Sequence, residues 1–586
     1  MCFLLFSIFQ TARKRIRSGS LLRPIGFLML TVGISVTASA QTHIPSNAQP
    51  VSAVPSAMFD GWFHDGEPTL NGFVDPANSV TFSPENNNSF YQWSWQMLLW
   101  LLSEDEEGTR VFDSAAFFGV SPPDSSGNRS FIPHVAGQSR HFSVRPVTGG
   151  PDGLPVLMTK QGRLVQIEPP RVSGKGFSMV RSVTGEHVEI SRVVLKFGKA
   201  IFLDTRGRPI LFPRATVRRQ IATMKIVQQF SAGKKSVLLD SMGNTFDPEE
   251  GQADGSTFMT QNGSLVYYTI ITNDVFAYFL TGAKNGDIKP TPTQFPTTQA
   301  ELDQIVAFAA SRGAILTNPE TLAVEIKMAW VEASSVPDPS KFITTRGLVP
   351  KYNKTSTQWT PTGQSESVEL CLVGVHFVGS ATNHPEMIWS TFEHLENSPN
   401  TDYQYITDNG ATQTVSESTS GPWIFCPDSS DGPFNQAHMQ FVPSTGVINA
   451  KSPFTISPSA TIRQKPWGVA ADGIPNQENA TSAESNTQII SINHSILEQL
   501  ISGDVRTNYF FVGSTWTLGG AVPTGRYPKG GNEIGTSMLA NTTMETYVQG
   551  GPGYSSGSNC FSCHTATSPS TFVNISHIYP KLQPLP

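Results

Sequence analysis

Near the end of the chain, Cys560-Phe561-Ser562-Cys563-His564 sets two thiols three positions apart, with an imidazole directly after the second. Thiols at this spacing can add to the two vinyl groups on one edge of a porphyrin, and the adjacent imidazole then lies beneath the macrocycle as an iron ligand. The pattern predicts one covalently attached haem c, with Cys560 and Cys563 as the attachment residues and His564 as the proximal ligand. Two other chemistries use the same thiols. A redox dithiol needs an active-site helix in a thioredoxin-like unit, which the sequence does not offer, and a short-range disulfide is the plain alternative.

The second axial ligand must come from a short list. Only 22 residues follow His564, and none is methionine, unlike a small cytochrome c domain with a distal Met far downstream. His577 lies 13 residues beyond His564, a tether that at about 3.3 Å per residue can fold over the opposite haem face. Bis-imidazole ligation by His564 and His577 is the first expectation. Met544, or Met538, is the weaker alternative, and an open or water-bound iron the third. No charged side chain falls between Glu545 and Lys581. The surroundings therefore read as neutral, with weak salt dependence of redox-partner docking, unless the fold brings charges from elsewhere.

Other chemistry is not evident. There is no phosphate-binding G-x-x-x-x-G-K-[ST] loop, dinucleotide fingerprint, H-E-x-x-H or G-x-S-x-G elbow. His376, His384, Glu393 and His394 gather around Trp389 in sequence, but at spacings that match no metal pattern, and they read as satisfied core or surface residues. A net charge of -6 without long like-charge blocks gives no footprint for nucleic acid. The densest basic stretch, Arg214 to Lys235, reads as a solvated surface.

The elements that must position the motif begin just before it. Thr542 followed by Glu545 has the form of a capping box, predicting a short helix with Met544, Tyr547 and Val548 on one face. A flexible Gly/Ser-rich stretch, 550–558, then leads into the cysteines. Upstream, Phe90 to Leu102 carries Trp93, Gln96, Met97 and Trp100 at helical spacing and is apolar enough to be buried. Asp274 to Thr281 and Thr298 to Ser311 also read as helices. Strands are expected at Val193 to Phe197 with Ala200 to Asp204 as a hairpin, at Leu265 to Thr272, at Thr321 to Trp330, and at Ser367 to Val378. With 49 Gly, 43 Pro and 36 Phe, turns punctuate an aromatic core. The fold class that follows is α+β, a β-rich body with several short helices and the haem c segment packed on it. Some 30 residues cannot enclose a haem alone, so the body must supply one wall.

At the other end, Lys14, Arg15 and Arg17 precede an apolar run from Phe27 to Val36 and then Ala38-Ser39-Ala40, the form of a secretory signal peptide. No second apolar stretch is long enough to span a membrane, so a periplasmic or secreted protein is expected. Export makes a Cys371–Cys426 disulfide plausible but does not place the two close enough to bridge. The organisation is thus a signal peptide over 1–40, an extended arm over 41–88, a mixed body over 89–549 with a possible subdivision near 285–297, and a haem attachment segment over 550–586.

Several blocks in this order, together with C-x-x-C-H, resemble a group of large bacterial cytochrome c family proteins with a long body and one C-terminal haem motif. They are Trp93-Ser94-Trp95-Gln96, Val324 to Trp330, Ile388-Trp389-Ser390-Thr391-Phe392-Glu393-His394 and Leu539 to Tyr547. The resemblance implies haem binding in a periplasmic redox setting and brings no established substrate. Electron transfer with an unknown redox partner is the function expected. The alternative is a haem c-dependent oxidoreductase whose large body binds a substrate.

Overall fold

The computed structural model describes residues 44–586 except 106–107, 122–127, 143, 145–147, 150–154, 159–163, 168–178, 182–185, 190–191, 197–198, 211–224, 233–234, 241–244, 247–255, 418, 426–432, 443–445, 465, 469–481, 524–532, 537–538, 548–559 and 565–568. The signal-peptide reading, the partner Cys426, Met538, Val548, the 550–558 stretch and much of the basic 214–235 stretch therefore lie outside the described residues.

The body is β-rich. One thirteen-stranded sheet dominates it, and its principal strands are β1 (Phe117–Val120), β2 (Tyr267–Asn273), β3 (Val324–Glu332), β4 (Thr344–Lys354), β5 (Gln358–Ala381), β6 (His384–His394), β7 (Tyr509–Thr517) and β8 (Glu533–Gly535). Pairing runs antiparallel in the order β1-β2-β3-β5-β6-β7-β8. β5 is long enough to hold β3 and β6 with its second half and β4 with its first. The expected hairpin near 193–204 is present as Arg192–Lys196 paired with Lys199–Leu203.

Helices cover the sheet and fill its flanks: α1 (Ser56–Asp60), α2 (Asn87–Leu101), α3 (Asp274–Asn285), α4 (Gln299–Ser311), α5 (Ser482–Leu497) and α6 (Cys560–Cys563). α2 starts where Asn86 accepts a hydrogen bond from the Asn88 amide. It is buried on nearly all sides, as its apolar composition requires. α3 is capped by the Asn273 side chain and ends at Gly286 in the left-handed region, where a residue without Cβ is unstrained. α4 opens on a complete capping box, Thr298 with Glu301. The 285–297 stretch joins α3 to α4, and Ile288 and Phe295 within it belong to the same hydrophobic cluster as both helices. The arm is more than extended chain, since it contains α1 and buries Phe59, Trp62 and Phe63 in the main core.

Strand alternation sends Ile326, Met328, Val375, Phe377 and Phe392 to the face of the sheet beneath α2. There Trp93 meets Phe377 at 5.8 Å and Trp95 meets Phe392 at 5.3 Å, ring to ring. The opposite face carries Glu325, Lys327, His376, Val378, Trp389 and Thr391, and onto it the C-terminal residues pack. Among the described residues no helix is long and apolar enough to cross a membrane.

His394, at the end of β6, is fully buried and stacked on Phe342 at 3.7 Å. Its Nε2–H donates to the Lys341 carbonyl, and its Nδ1 accepts the Glu396 amide. Burial holds the imidazole neutral, with a pKa lowered to about 3. The unfolded imidazole binds a proton below about pH 6.5 and the folded one does not. Stability from this residue is therefore complete above pH 6.5 and is lost as pH falls toward 3. At pH 5 the loss should be about 2 kcal/mol. Thermal unfolding at pH 7 and pH 5, in the wild type and His394→Phe, should show the wild type losing more on acidification; equal losses would contradict the assignment.

Candidate functional site

The cysteine motif opens as one helical turn: α6 spans Cys560–Cys563, and the His564 amide donates to the Cys560 carbonyl at 2.9 Å. Phe561 is buried against Trp389 of β6, with ring centroids 5.9 Å apart, so the turn is docked on the sheet rather than held off it. The His564 ring lies 4.3 Å from that of Trp389. Its Nδ1–H donates to the Ile575 carbonyl at 2.9 Å, which fixes the tautomer and leaves the lone pair on Nε2. Burial lowers the His564 pKa well below the usual histidine value, and the neighbouring His577 lowers it further. The imidazole is held in the neutral form.

His577 meets His564 as the tether length allows. The two rings are stacked at 4.0 Å, inclined by 16°. The segment carrying His577 is pinned on both sides. Lys284, in the last turn of α3, donates to the carbonyls of Tyr579, Pro580 and Leu582 at 2.8, 3.2 and 2.6 Å. Arg129 exchanges backbone hydrogen bonds with Lys581 and Gln583. Ile575, Ile578, Tyr579 and Leu582 are buried among the aromatic rings of α3 and Phe295.

The stretch before the motif is a turn and not the expected helix. Glu545 does reach back, but its Oε2 accepts the Asn541 amide rather than that of Thr542. The Asn541 side chain in turn accepts the Thr543 amide. The Thr542 amide, which a capping box would give to Glu545, is taken by Glu393, so the box does not form. Gly374 of β5 permits this approach: a Cβ there would sit 2.3 Å from Thr543 Oγ1.

Glu393 holds that turn to the sheet. The carboxylate is wholly buried and faces the equally buried Arg463, with Nη2 to Oε2 at 2.7 Å and Nε to Oε1 at 3.1 Å. Asn397 donates to Oε2, and the Thr542 amide and hydroxyl both donate to Oε1. Both oxygens are thus satisfied, which a buried charge requires.

Charges do reach the site from the body, so the local neutrality of 546–580 does not describe it. Ser576 Oγ donates to Glu325 at 2.6 Å. Lys327 and His376 are register partners on the same face. His376 Nε2 pairs with Glu545 at 2.9 Å. Burial pushes the Glu545 carboxyl upward, but His376 and Lys327 outweigh it and leave the pKa below the usual value.

Of the residues singled out in sequence, Cys560, His564 and His577 come together, and the backbone of Cys563 completes the turn. Met544 is buried in a different cluster, with Phe258, Cys371 and Phe425. Cys371 carries a free thiol, and burial raises its pKa to about 12. The four residues near Trp389 do not converge: His376, His384, Glu393 and His394 each have separate partners. No group of three or more metal-ligating side chains forms among the described residues. Sequence reading missed Arg463 and the Ile575 carbonyl. The first is 70 residues from its partner, and the second is a backbone atom with no side-chain signal.

Fold and site together define a β-rich body with a Cys-x-x-Cys-His turn docked on one face of its sheet. Compared with protein-family models, curated proteins and solved structures, the chain matches none.

Arg463→Met should strand the Glu393 carboxylate and destabilise the protein by about 3–5 kcal/mol. Adding Glu393→Gln should recover part of that loss. Denaturant midpoints test both, and a single variant with the wild-type midpoint would contradict the role given to the pair.

Proposed function

We propose that this chain is an exported c-type cytochrome, with one haem held covalently by Cys560 and Cys563, His564 as proximal ligand and His577 as distal ligand, and that it transfers electrons. The observation that carries the reading is the Nδ1–H bond from His564 to the Ile575 carbonyl. A ligating histidine donates its other ring N–H in this way, which orients the ring and presents Nε2 to the metal. A dithiol or structural disulfide has no use for a histidine so oriented. When bound, the haem supplies one-electron chemistry between ferric and ferrous iron.

The chain's own residues have distinct tasks. Trp389 and Phe561 supply an aromatic wall that excludes water. Lys284 and Arg129 hold the segment that carries His577. His564 and His577 are stacked face to face, so ligation of one iron by both would require the rings to separate and turn their in-plane nitrogen lone pairs toward it. Ile575 is buried and keeps the carbonyl that accepts from His564 in place. The signal-peptide pattern of residues 1–40 supports a periplasmic or secreted location, the setting in which such attachment occurs.

The alternative, an oxidoreductase whose body binds a substrate, calls for a cleft beside His564. One cleft of the described surface is lined by Arg110, Ser340 and Glu369, and another by Asp287, Phe308 and Arg312. Neither is lined by Trp389, His564 or His577.

Protein produced in a periplasm with haem-attachment machinery should give a c-type pyridine haemochrome and a low-spin spectrum. His577→Ala should turn the iron high-spin and able to bind carbon monoxide, with covalent haem retained. A low-spin spectrum unchanged in His577→Ala would remove His577 as ligand, and the absence of covalent haem would remove the reading itself.

A further inference from the structure

One buried carboxylate close to the motif is only half satisfied. Glu386 of β6 is wholly buried, and its Oε1 accepts the Thr517 amide at 3.0 Å and lies 2.8 Å from His384 Nδ1. Its Oε2 has no hydrogen-bond partner among the described residues. Native interiors rarely leave such an atom, and those that do repay attention to function. The next residue, Met387, adopts a φ of 65°, a left-handed conformation that side chains other than glycine avoid and that clusters at functional sites.

His384 is buried too, with its ring edge-on to Phe90 at 5.0 Å. The elements packed around the pair bring few titratable groups. β8 carries Glu533, the register partner of Thr517. α2 and the arm present the rings of Phe90 and Phe82. On the other side stands Trp389, and beyond it His564. Trp389 links the two places: its Nε1–H donates to the Glu386 carbonyl at 2.8 Å, and its ring lies 4.3 Å from that of His564.

We propose that His384 and Glu386 form the proton site of the redox centre, taking up on average up to about half a proton from solvent as the site gains one electron from its redox partner and releasing it on reoxidation. This rests on the haem reading above. The electron goes to the iron and the proton taken up forms an O–H or N–H bond on the pair, so the added charge of the region is partly offset. The physical reason is a short electrostatic reach. Coulomb attraction at an effective dielectric near 20 makes a nearby added electron raise a buried carboxylate's proton affinity, on the order of tenfold. Oε2 is the open position at which that proton can be held without displacing an existing donor.

The test is a spectroelectrochemical titration of the full-length holoprotein from pH 5 to 9, after a pyridine haemochrome has established covalent haem. The midpoint potential should fall with rising pH by about 59 mV in total, the equivalent of a tenfold change for one electron. Glu386→Gln, nearly isosteric, should abolish most of that dependence. Independently of any variant, the redox-difference infrared spectrum of the wild type should show a protonated-carboxyl band or an imidazolium band appearing on reduction. A pH dependence unchanged in both Glu386→Gln and His384→Gln, or a wild-type spectrum with neither band, would overturn the proposal while leaving the cytochrome reading intact. A protein without covalent haem would overturn both.

Discussion

A carboxylate and a guanidinium without solvent exposure can persist inside a fold only if every polar atom is answered. Glu393 and Arg463 meet that condition by drawing in Asn397 and Thr542 as well as each other. The same carboxylate therefore does two things. It neutralises a buried cation on a loop 70 residues away, and it captures the backbone just before the cysteine motif. Because Thr542 is fixed to β6, the chain leading to Cys560 starts from the strand that also carries Trp389. The ring against which His564 packs and the turn that leads to it share one support.

The far side of the site is held by different physics. The C-terminal residues after His577 are anchored by burial of Ile578, Tyr579 and Leu582 and by the ammonium of Lys284 on three carbonyls. A cation at the carbonyl end of a turn is favourable for the same reason as at a helix C-terminus. The motif thus sits between a polar clamp upstream and an apolar anchor downstream, with half-buried charges from β3 and β5 at its edge.

Much of this could be read in the sequence wherever the determinants were local. The helices α2, α3 and α4 and the strands β2, β3 and β5 follow from periodicity, and the reading of an α+β, β-rich body holds. The contrast between two Thr-x-x-Glu patterns shows where local reading stops. Thr298 and Glu301 make a real capping box, with both reciprocal hydrogen bonds formed. Thr542 and Glu545 look alike in sequence, yet Glu393 takes the Thr542 amide and no capping box forms. Likewise, the stretch between Glu545 and Lys581 has no charge of its own, and only the register of β3 with β5 puts Glu325, Lys327 and His376 beside it. α5 is not legible in the sequence, since its buried face mixes Ile489, Ile492 and Ile496 with Asn486 and Asn493, whose side-chain amides donate to carbonyls of strands outside the helix.

The central claim is that Cys560 and Cys563 carry a haem. Its most direct test is intact and peptide mass spectrometry of the full-length protein produced with haem-attachment machinery, beside the Cys560→Ser/Cys563→Ser variant. The account predicts the added mass of one haem, located on the peptide containing residues 560–564 and absent from the variant. A wild-type protein of unmodified mass, or one in which only two hydrogens are lost to a disulfide between these cysteines, would contradict it.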